Sequence, residues 1–162
     1  MEKNFYPFDI DTPTFSLNGI KSYARIVNVI DGDTVSLVIP VFNNYFKFNI
    51  RIKGIDTCEI HSSDPLIKEH GMKAKQKVCD IISKAKLNIG NKKDIIDYLK
   101  NNIILVWIEC FDFDKYGRLL AEVYTKDKNK IISKCLLDEK LAYSYEGDTK
   151  MTDEELKKYF NL

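Results

Sequence analysis

Apolar and polar residues alternate between positions 21 and 56, and this period of two predicts β-strands. Asp31-Gly32-Asp33-Thr34 interrupts the alternation, and Asn43-Asn44 marks a further turn. The apolar positions on the two sides of the first interruption are Val27, Val29, Val35, Leu37 and Ile39. A further strand region is predicted from Phe42 to Ile55.

Two helices are predicted next, where the apolar period changes to that of an amphipathic helix. The first runs from about Leu66 to Lys86, after a loop at 61–65, and Gly90 can end it. Its apolar face consists of Ala74, Val78, Ile81, Ile82 and Ala85. A shorter helix is predicted over residues 91–102, and its inward residues are Ile95, Ile96 and Leu99.

The C-terminal part of the chain predicts a hairpin and two more helices. Residues 103–111 form a strand with an apolar start, and residues 119–125 return after the DKYGR turn at 114–118. A third helix is predicted over 129–141. Thr152 and Glu155 have the spacing of a capping box, which predicts a fourth helix running to the C-terminus.

The composition is that of a globular protein with a core, since 44% of the 162 residues are hydrophobic and 30% are charged. We expect one domain over residues 19–162, preceded by an aromatic arm at 1–18, and a monomer. The net charge of +1 does not indicate a dedicated nucleic-acid-binding domain. It does not exclude one either, because a local basic cluster can act alone.

The cysteines and histidines do not have the spacing of a zinc site, since the four cysteines form no CxxC pair and there are two histidines. We interpret the cysteines as reduced thiols of an intracellular protein. The N-terminus has no long apolar segment of a secretory signal, and no run approaches the roughly 18 apolar residues of a membrane span. A cytoplasmic protein is expected.

The stretch Asp31-Gly32-Asp33-Thr34 has two interpretations. Asp-Gly between alternating apolar runs is a strong hairpin signal, and taken alone the stretch favours a tight turn. A turn does not need the second aspartate, so Asp33 is also a candidate metal ligand. In that case Asp31 and Gly32 make the turn, and Asp33 delivers its carboxylate to a pocket.

Arg51 and Asp56 belong to a second polar stretch, RIKGIDTCE at 51–59. A regular strand would point residues five apart to opposite faces, so a shared site requires a bend, which Gly54 permits. Asp56 and Glu59 then lie on a tight turn and share one pocket. The alternative is a surface turn with unrelated charges.

The DKYGR turn is the third candidate. Asp114 and Gly117 suit a hairpin loop for local reasons, and Arg118 taken alone is better explained as a solvated charge. Together, however, the three stretches supply what metal-assisted phosphodiester cleavage needs. They offer oxygen ligands for Ca²⁺ or Mg²⁺, guanidinium groups that fit phosphate, and a carboxylate that can activate water.

Five stretches match a known family: IDGDTV at 30–35, RIKGIDTCEI at 51–60, HGMKA at 70–74, DKYGRLLAEVY at 114–124 and LAYSY at 141–145. With them the chain resembles staphylococcal nuclease, the thermonuclease family, from about Ala24 to Tyr145, apart from an insertion near 87–102. The resemblance implies an α+β fold, a five-stranded Greek-key β-barrel of the OB type packed with three or four helices. It also implies a calcium-dependent phosphodiesterase that cuts DNA and RNA and leaves 3′-phosphate ends, with Mg²⁺ as a further candidate ion.

The resemblance also implies roles for ten residues of this chain. The metal ligands are the carboxylates of Asp33 and Asp56 and the carbonyl of Thr57. The catalytic residues are Arg51 and Arg118, which bind phosphate, and Glu59, which orients or deprotonates the water. The substrate-binding residues are Lys115 and Tyr116, which grip a terminal phosphate, and Tyr143 and Tyr145, which form an aromatic wall for base and sugar.

Two departures from the family pattern matter. Cys58 stands where the family often has proline, which predicts either a looser, redox-sensitive turn or a small buried thiol. The insertion joins the first helix to the strand at 103, so we expect it away from the pocket. A non-catalytic OB-fold module that binds nucleic acid or protein is the alternative function, and an interaction protein using the aromatic arm is a third.

Overall fold

A closed five-stranded barrel forms the centre of the computed structural model, which describes residues 2–83 and 85–162. Met1 of the predicted arm and Lys84 of the predicted first helix lie outside these residues. The barrel strands are β1 (Lys21–Val29), β2 (Thr34–Val41), β3 (Asn44–Ile52), β5 (Ile104–Phe113) and β6 (Leu119–Thr125). A separate two-stranded sheet pairs β4 (Ile55–Asp56) with β7 (Tyr143–Ser144).

The strand order around the barrel is β1-β2-β3-β6-β5. All neighbouring pairs are antiparallel except β3 and β6, which run parallel over three residue pairs beginning at Ile50 and Leu119. The described helices are α1 (Pro65–Ile82), α2 (Lys92–Asn101), α3 (Ile132–Asp138) and α4 (Asp153–Phe160), with a 3₁₀ turn at Glu2–Phe5. The predicted α+β fold, an OB-type barrel with helices, is confirmed.

The barrel interior is filled by the alternating apolar residues, and helices cover its outside. Ala74 and Val78 of α1 and Ile95 and Leu99 of α2 are fully buried. Helix α2 lies in the predicted insertion near 87–102 and packs on β1. Arg25 of β1 donates hydrogen bonds to two carbonyl oxygens at the C-terminus of this helix. No residue of α2 lines the cavity described below.

The turn between β2 and β3 lies one position earlier than predicted. Phe42 and Asn43 occupy its centre with φ of 52° and 60°, and Val41 pairs with Asn44. Two successive positive φ values are typical of the two-residue hairpin turn whose twist suits the flanking strands. Asn44 is therefore the first residue of β3 and not part of the turn.

The helix ends also differ from the prediction. Helix α1 ends at Ile82, because Ser83 is extended and its hydroxyl bonds to the backbone of Ala85 instead. Helix α3 covers residues 132–138 and not 129–141. The capping box of Thr152 and Glu155 is confirmed at the start of α4. Among the described residues, none of the helices has the length and apolar character that a membrane crossing requires.

The described part of the N-terminal arm does not pack its aromatic rings into the barrel. Its aromatic side chains remain more than half exposed: Phe5, Tyr6, Phe8 and Phe15. Leu17 is the arm residue that enters the core, at 1% exposure. Ser16 adds a hydrogen bond of 2.6 Å to Asp112 near the end of β5, so the arm is attached at its C-terminal end.

Candidate active site

The loop before β2 carries Asp33 to the end of β3. Thr34, the first residue of β2, pairs with Arg51 in the β2–β3 register. The backbone N–H of Ile52 donates to the carbonyl of Asp33 at 2.8 Å. The hairpin pairing therefore sets Asp33 beside Arg51, although 18 residues separate them in sequence.

Gly32 is required by packing and not by turn geometry. It does not adopt the positive φ that an Asp-Gly hairpin turn uses. A Cβ at this position would lie 2.6 Å from the Cβ of Ala74 in α1 and 3.0 Å from the Thr57 side chain. The interpretation of the stretch as a tight turn is thus incomplete, because the loop also packs between Ala74 of α1 and Thr57, which directly follows β4.

Gly54 provides the bend that the sequence predicted between Arg51 and Asp56. Its φ is 80°, in the region that favours glycine, and β3 ends two residues before it. After the bend, Asp56 pairs with Tyr143 in the β4–β7 sheet. The Arg51 and Asp56 side chains consequently meet, and one guanidinium nitrogen donates to the Asp56 carboxylate.

Asp33 is buried and bound on several sides. The Arg51 guanidinium donates to Asp33 Oδ2 at 2.5 Å, and the backbone N–H of Thr57 donates to the same oxygen at 3.2 Å. The Thr34 hydroxyl donates to Asp33 Oδ1 at 2.8 Å. Arg51 is itself 6% exposed and binds both Asp33 and Asp56, so it links the two predicted carboxylate ligands.

Lys150 extends this arrangement to Glu59. Its ammonium nitrogen lies 3.0 Å from Asp56 Oδ1 and 3.2 Å from Glu59 Oε1. The result is a row of alternating charges, called the charge row below, whose members in order are Asp33, Arg51, Asp56, Lys150 and Glu59. Each carboxylate in the row touches at least one cation, which offsets the cost of burying Asp33 and Asp56.

The two aspartates of the charge row differ in pKa. Burial, together with the neighbouring carboxylate of Asp31, raises the pKa of Asp33 to about 7, although Arg51 opposes the shift. Burial also acts against ionisation of Asp56. There, hydrogen bonds from Tyr143, Lys150 and Arg51 outweigh it and hold the pKa of Asp56 below its usual value.

The carboxylate oxygens of the charge row are of the type that hard divalent cations prefer as ligands. However, positively charged side chains of the protein lie between these carboxylates. Among residues 2–83 and 85–162, no three His, Cys, Asp or Glu side chains form a group that could hold a metal. Arg51 lies between Asp33 and Asp56, and Lys150 lies between Asp56 and Glu59. The Lys150 ammonium marks the point where the carboxylates of Asp56 and Glu59 converge on a cation, and exchange of that contact would free Asp56 for a divalent ion.

A cavity of about 510 Å³ adjoins the charge row. Arg51 and Lys150 line it on that side, and Lys115, Tyr116 and Arg118 line it from the β5–β6 hairpin. The parallel β3–β6 pairing explains this position, because Arg51 pairs with Leu120 and Arg118 directly precedes β6. The structure therefore brings both predicted arginines to one cavity.

Asp114 organises the DKYGR turn. Its carboxylate accepts the backbone N–H groups of Tyr116 at 2.8 Å and Arg118 at 2.9 Å, and the Nε of Arg118 at 2.7 Å. The guanidinium of Arg118 and the ammonium of Lys115 lie 5.5 Å and 5.2 Å from the centre of the Tyr116 ring. Cations and an aromatic ring are thus held at the cavity edge.

Two tyrosines predicted as one aromatic wall lie in different environments. Tyr145 lines the cavity, and Arg51 lies 5.6 Å from its ring centre. Tyr143 is 3% exposed, does not line the cavity, and donates its hydroxyl to Asp56 Oδ2 at 2.6 Å. The β4–β7 pairing turns Tyr143 inward, where it contacts Asp56 and its ring centre lies 6.3 Å from the Tyr145 ring centre, so its predicted contact with base and sugar stays a prediction.

Sequence reasoning missed Lys150 and Lys53, which both line the cavity. Lys53 follows Arg51 by two residues, and its Nζ lies 4.3 Å from the Phe111 ring centre. Lys150 lies in the loop between Tyr145 and the capping box, without a motif of its own. The signal available in the sequence was that Lys150 lies close to both the LAYSY stretch at 141–145 and the start of α4.

Cys58 is a buried thiol, in agreement with one of its two interpretations. It is 1% exposed and packs with Ile67, Tyr143, Leu156 and Phe160. Burial raises the pKa of its thiol to about 11. A protonated, enclosed thiol reacts slowly with oxidants, so the turn that carries Glu59 is not exposed to redox chemistry through this residue.

Comparison with known families gives a match over residues 49–162 to the family described as staphylococcal nuclease homologues. The match covers the second polar stretch, the DKYGR turn and the C-terminal segment with Lys150.

Two curated relatives are similar over most of the chain. An uncharacterized protein of Methanocaldococcus jannaschii is 31% identical over 141 residues, which cover 76% of this chain. Endonuclease YncB of Bacillus subtilis is 28% identical over 146 residues, which cover 83% of this chain. Each alignment spans 57% of the relative, so the chain corresponds to little more than half of their length.

Proposed function

Since the chain belongs to the staphylococcal nuclease homologue family, we propose that it is a metal-dependent nuclease that hydrolyses phosphodiester bonds of DNA or RNA. The observation that carries the proposal is that the charge row and the cavity share Arg51 and Lys150. The row supplies carboxylates, and the cavity supplies cations and aromatic rings suited to a nucleic-acid strand. The name of the Bacillus relative, an endonuclease, agrees with this reaction class.

Asp33, Asp56 and the carbonyl of Thr57 are the residues that would hold the divalent cation. We propose Ca²⁺, with Mg²⁺ as the alternative, because both prefer oxygen ligands. When bound, the cation supplies Lewis-acid stabilisation of the negative charge on the phosphate oxygens. Arg51 keeps the two aspartates at one place before the cation arrives.

Glu59 is the proposed base. Its side chain is 64% exposed, so water reaches its carboxylate directly. Glu59 accepts a proton from a water molecule, whose oxygen forms a bond to phosphorus while the bond from phosphorus to the 5′ oxygen breaks. The products are a 3′-phosphate and a 5′-hydroxyl; the departing 5′ oxygen takes a proton from solvent water, and the Arg118 guanidinium stabilises its negative charge.

The cavity residues position the substrate in this proposal. The cations of Arg118 and Lys115 contact phosphate oxygens and offset the charge that grows in the transition state. Tyr116 and Tyr145 offer ring faces to bases or sugars, which tolerates different sequences. Tyr143 acts through Asp56 and is a positioning residue.

The proposal is tested by incubating the protein with single-stranded DNA, duplex DNA and RNA in Ca²⁺, in Mg²⁺ and in EDTA. We expect cleavage that EDTA abolishes and products whose 3′ ends become extendable only after phosphatase treatment. Glu59→Gln is expected to reduce the rate by at least about 100-fold, since it removes the base.

Glu69→Gln is the matched control, because Glu69 is also an exposed carboxylate paired with a lysine, Lys73, but lies on α1. It should leave the rate unchanged. Cleavage in EDTA, or equal rates for the two variants, would contradict the proposal. Oligonucleotide binding without turnover would favour the alternative of a non-catalytic binding module.

A further inference from the structure

The ammonium group of Lys150 lies between two carboxylates that the proposed function assigns to catalysis. It is 3.0 Å from Asp56 Oδ1 and 3.2 Å from Glu59 Oε1. We propose that Lys150 competes with the divalent cation for Asp56, and that cation binding displaces the ammonium group from the carboxylates. This inference rests on the proposed function, because it takes Asp56 as a metal ligand.

The partners of Asp56 differ in how readily they can be replaced. The Arg51 side chain is 7% exposed and is also bound to Asp33, so moving it disrupts two buried contacts. Tyr143 is 3% exposed and packed in a hydrophobic cluster. The Lys150 side chain is 45% exposed. Of these three, Lys150 is the partner that an ion arriving from solvent can replace at the lowest cost.

The position of Lys150 follows from backbone contacts on both sides of its loop. Before the loop, the backbone N–H of Tyr145 donates to the carbonyl of Gly54 at 3.0 Å. After it, the backbone N–H of Met151 donates to the Tyr143 hydroxyl at 3.3 Å, and that hydroxyl in turn donates to Asp56. The backbone next to Lys150 is therefore held, through the Tyr143 hydroxyl, close to Asp56. Asp56 is also the carboxylate that the Lys150 side chain contacts.

The displaced ammonium group can move into the cavity beside the charge row. Lys150 lines the cavity together with Lys115 and Arg118. Its flexible four-carbon side chain can leave Asp56 without movement of the backbone. After displacement, the positive charge stays beside the space proposed for phosphate.

The competition is tested by calorimetric titration of Ca²⁺ into metal-free protein, comparing the wild type with Lys150→Met and Lys150→Arg. Lys150→Met should bind Ca²⁺ about tenfold more tightly, a difference of about 1.4 kcal/mol. Lys150→Arg keeps the charge and should remain near the wild type. Thermal unfolding gives a second readout, since Ca²⁺ should raise the unfolding temperature of Lys150→Met more than that of the wild type.

Lys157→Met is the matched control, because it removes the same charge from a lysine paired with Asp64 at 2.8 Å, outside the charge row. It should bind Ca²⁺ as the wild type does. Equal or weaker affinity of Lys150→Met overturns the competition and leaves the nuclease proposal intact, as does an equal gain in Lys157→Met. Absence of Ca²⁺ binding in all four proteins overturns the competition, and if Mg²⁺ in the same titration also fails to bind, the nuclease proposal is overturned as well.

Discussion

The Tyr143 hydroxyl donates a hydrogen bond of 2.6 Å to Asp56 Oδ2, across the two residue pairs that join β4 to β7. The bond helps to hold the pKa of Asp56 below its usual value. In return, burial and the neighbouring Asp56 carboxylate raise the pKa of Tyr143. A short sheet outside the barrel therefore contributes, with Lys150 and Arg51, to keeping a residue of the charge row ionised.

Replacement of Tyr143 by Phe removes this hydroxyl and leaves the ring. We expect the free energy of unfolding to fall by about 1–3 kcal/mol, because a buried carboxylate loses a charge-assisted hydrogen bond. Urea denaturation measures the change. Tyr145→Phe is the control, since the Tyr145 hydroxyl donates to the exposed carbonyl of Asp148; a similar loss in both variants would contradict the prediction.

Substitution of Gly32 by Ala tests the contact between the Asp33 loop and α1. The new Cβ would lie 2.6 Å from the Ala74 Cβ, so the loop or the helix must move. We expect a loss of about 1–3 kcal/mol in the free energy of unfolding. The double variant Gly32→Ala/Ala74→Gly should lose less than the sum of the single variants, and strict additivity would argue against a direct clash.

The buried imidazole of His70 leads us to expect that the free energy of unfolding depends on pH. Burial lowers the pKa of His70 below 6.5, aided by Lys73 and opposed by Glu69 and by a hydrogen bond to the Lys140 backbone. The stabilising contribution of neutral His70 is therefore complete above about pH 6.5 and is lost as the pH falls through the lowered value. The sign follows because the unfolded state binds the proton more readily.

The measurement compares the unfolding temperatures of the wild type and His70→Gln at about pH 8 and about pH 5. The advantage of the wild type should shrink at the lower pH, and because the comparison is a difference, the titration of Asp33 cancels. An advantage that grows toward low pH would mean that His70 is stabilised in its charged form.

The four cysteines should differ in reactivity. Burial raises the pKa of Cys58, Cys79 and Cys110 to about 11, whereas Cys135 is half-buried. A disulfide reagent at about pH 8 should label one thiol rapidly in the folded protein and four after denaturation. Cys135→Ser should remove the rapid phase; fast labelling that survives in this variant would show that a buried thiol is accessible.

Local patterns predicted the parts of the fold that depend on near neighbours. Strand alternation located β1 and β2, and the spacing of Thr152 and Glu155 located the start of α4. The parallel β3–β6 pairing and the inward orientation of Tyr143 depend on strands far apart in sequence, which no local period reports. The predicted end of α1 was wrong because the hydroxyl of Ser83 accepts a hydrogen bond from the backbone of Ala85 and so competes with helical hydrogen bonding. This is the effect of one residue, which a periodic pattern does not report.

The candidate site was predictable where a residue type was unusual for its position. Asp33 was singled out because a turn does not require it, and the bend at Gly54 was inferred from the five-residue spacing of Arg51 and Asp56. Lys150 could not be found in this way, because an exposed lysine in a loop is common. Its contact with Asp56 exists only once β7 pairs with β4.

The β4–β7 pairing also has a consequence for the order of events during protein synthesis. Asp56 and Tyr143 are 87 residues apart, so a ribosome needs roughly 4 to 17 seconds to travel from one codon to the other. During that interval the emerging chain carries Asp33, Arg51 and Asp56 without Tyr143 or Lys150. The charge row therefore cannot be completed until Tyr143 and Lys150 have left the ribosome.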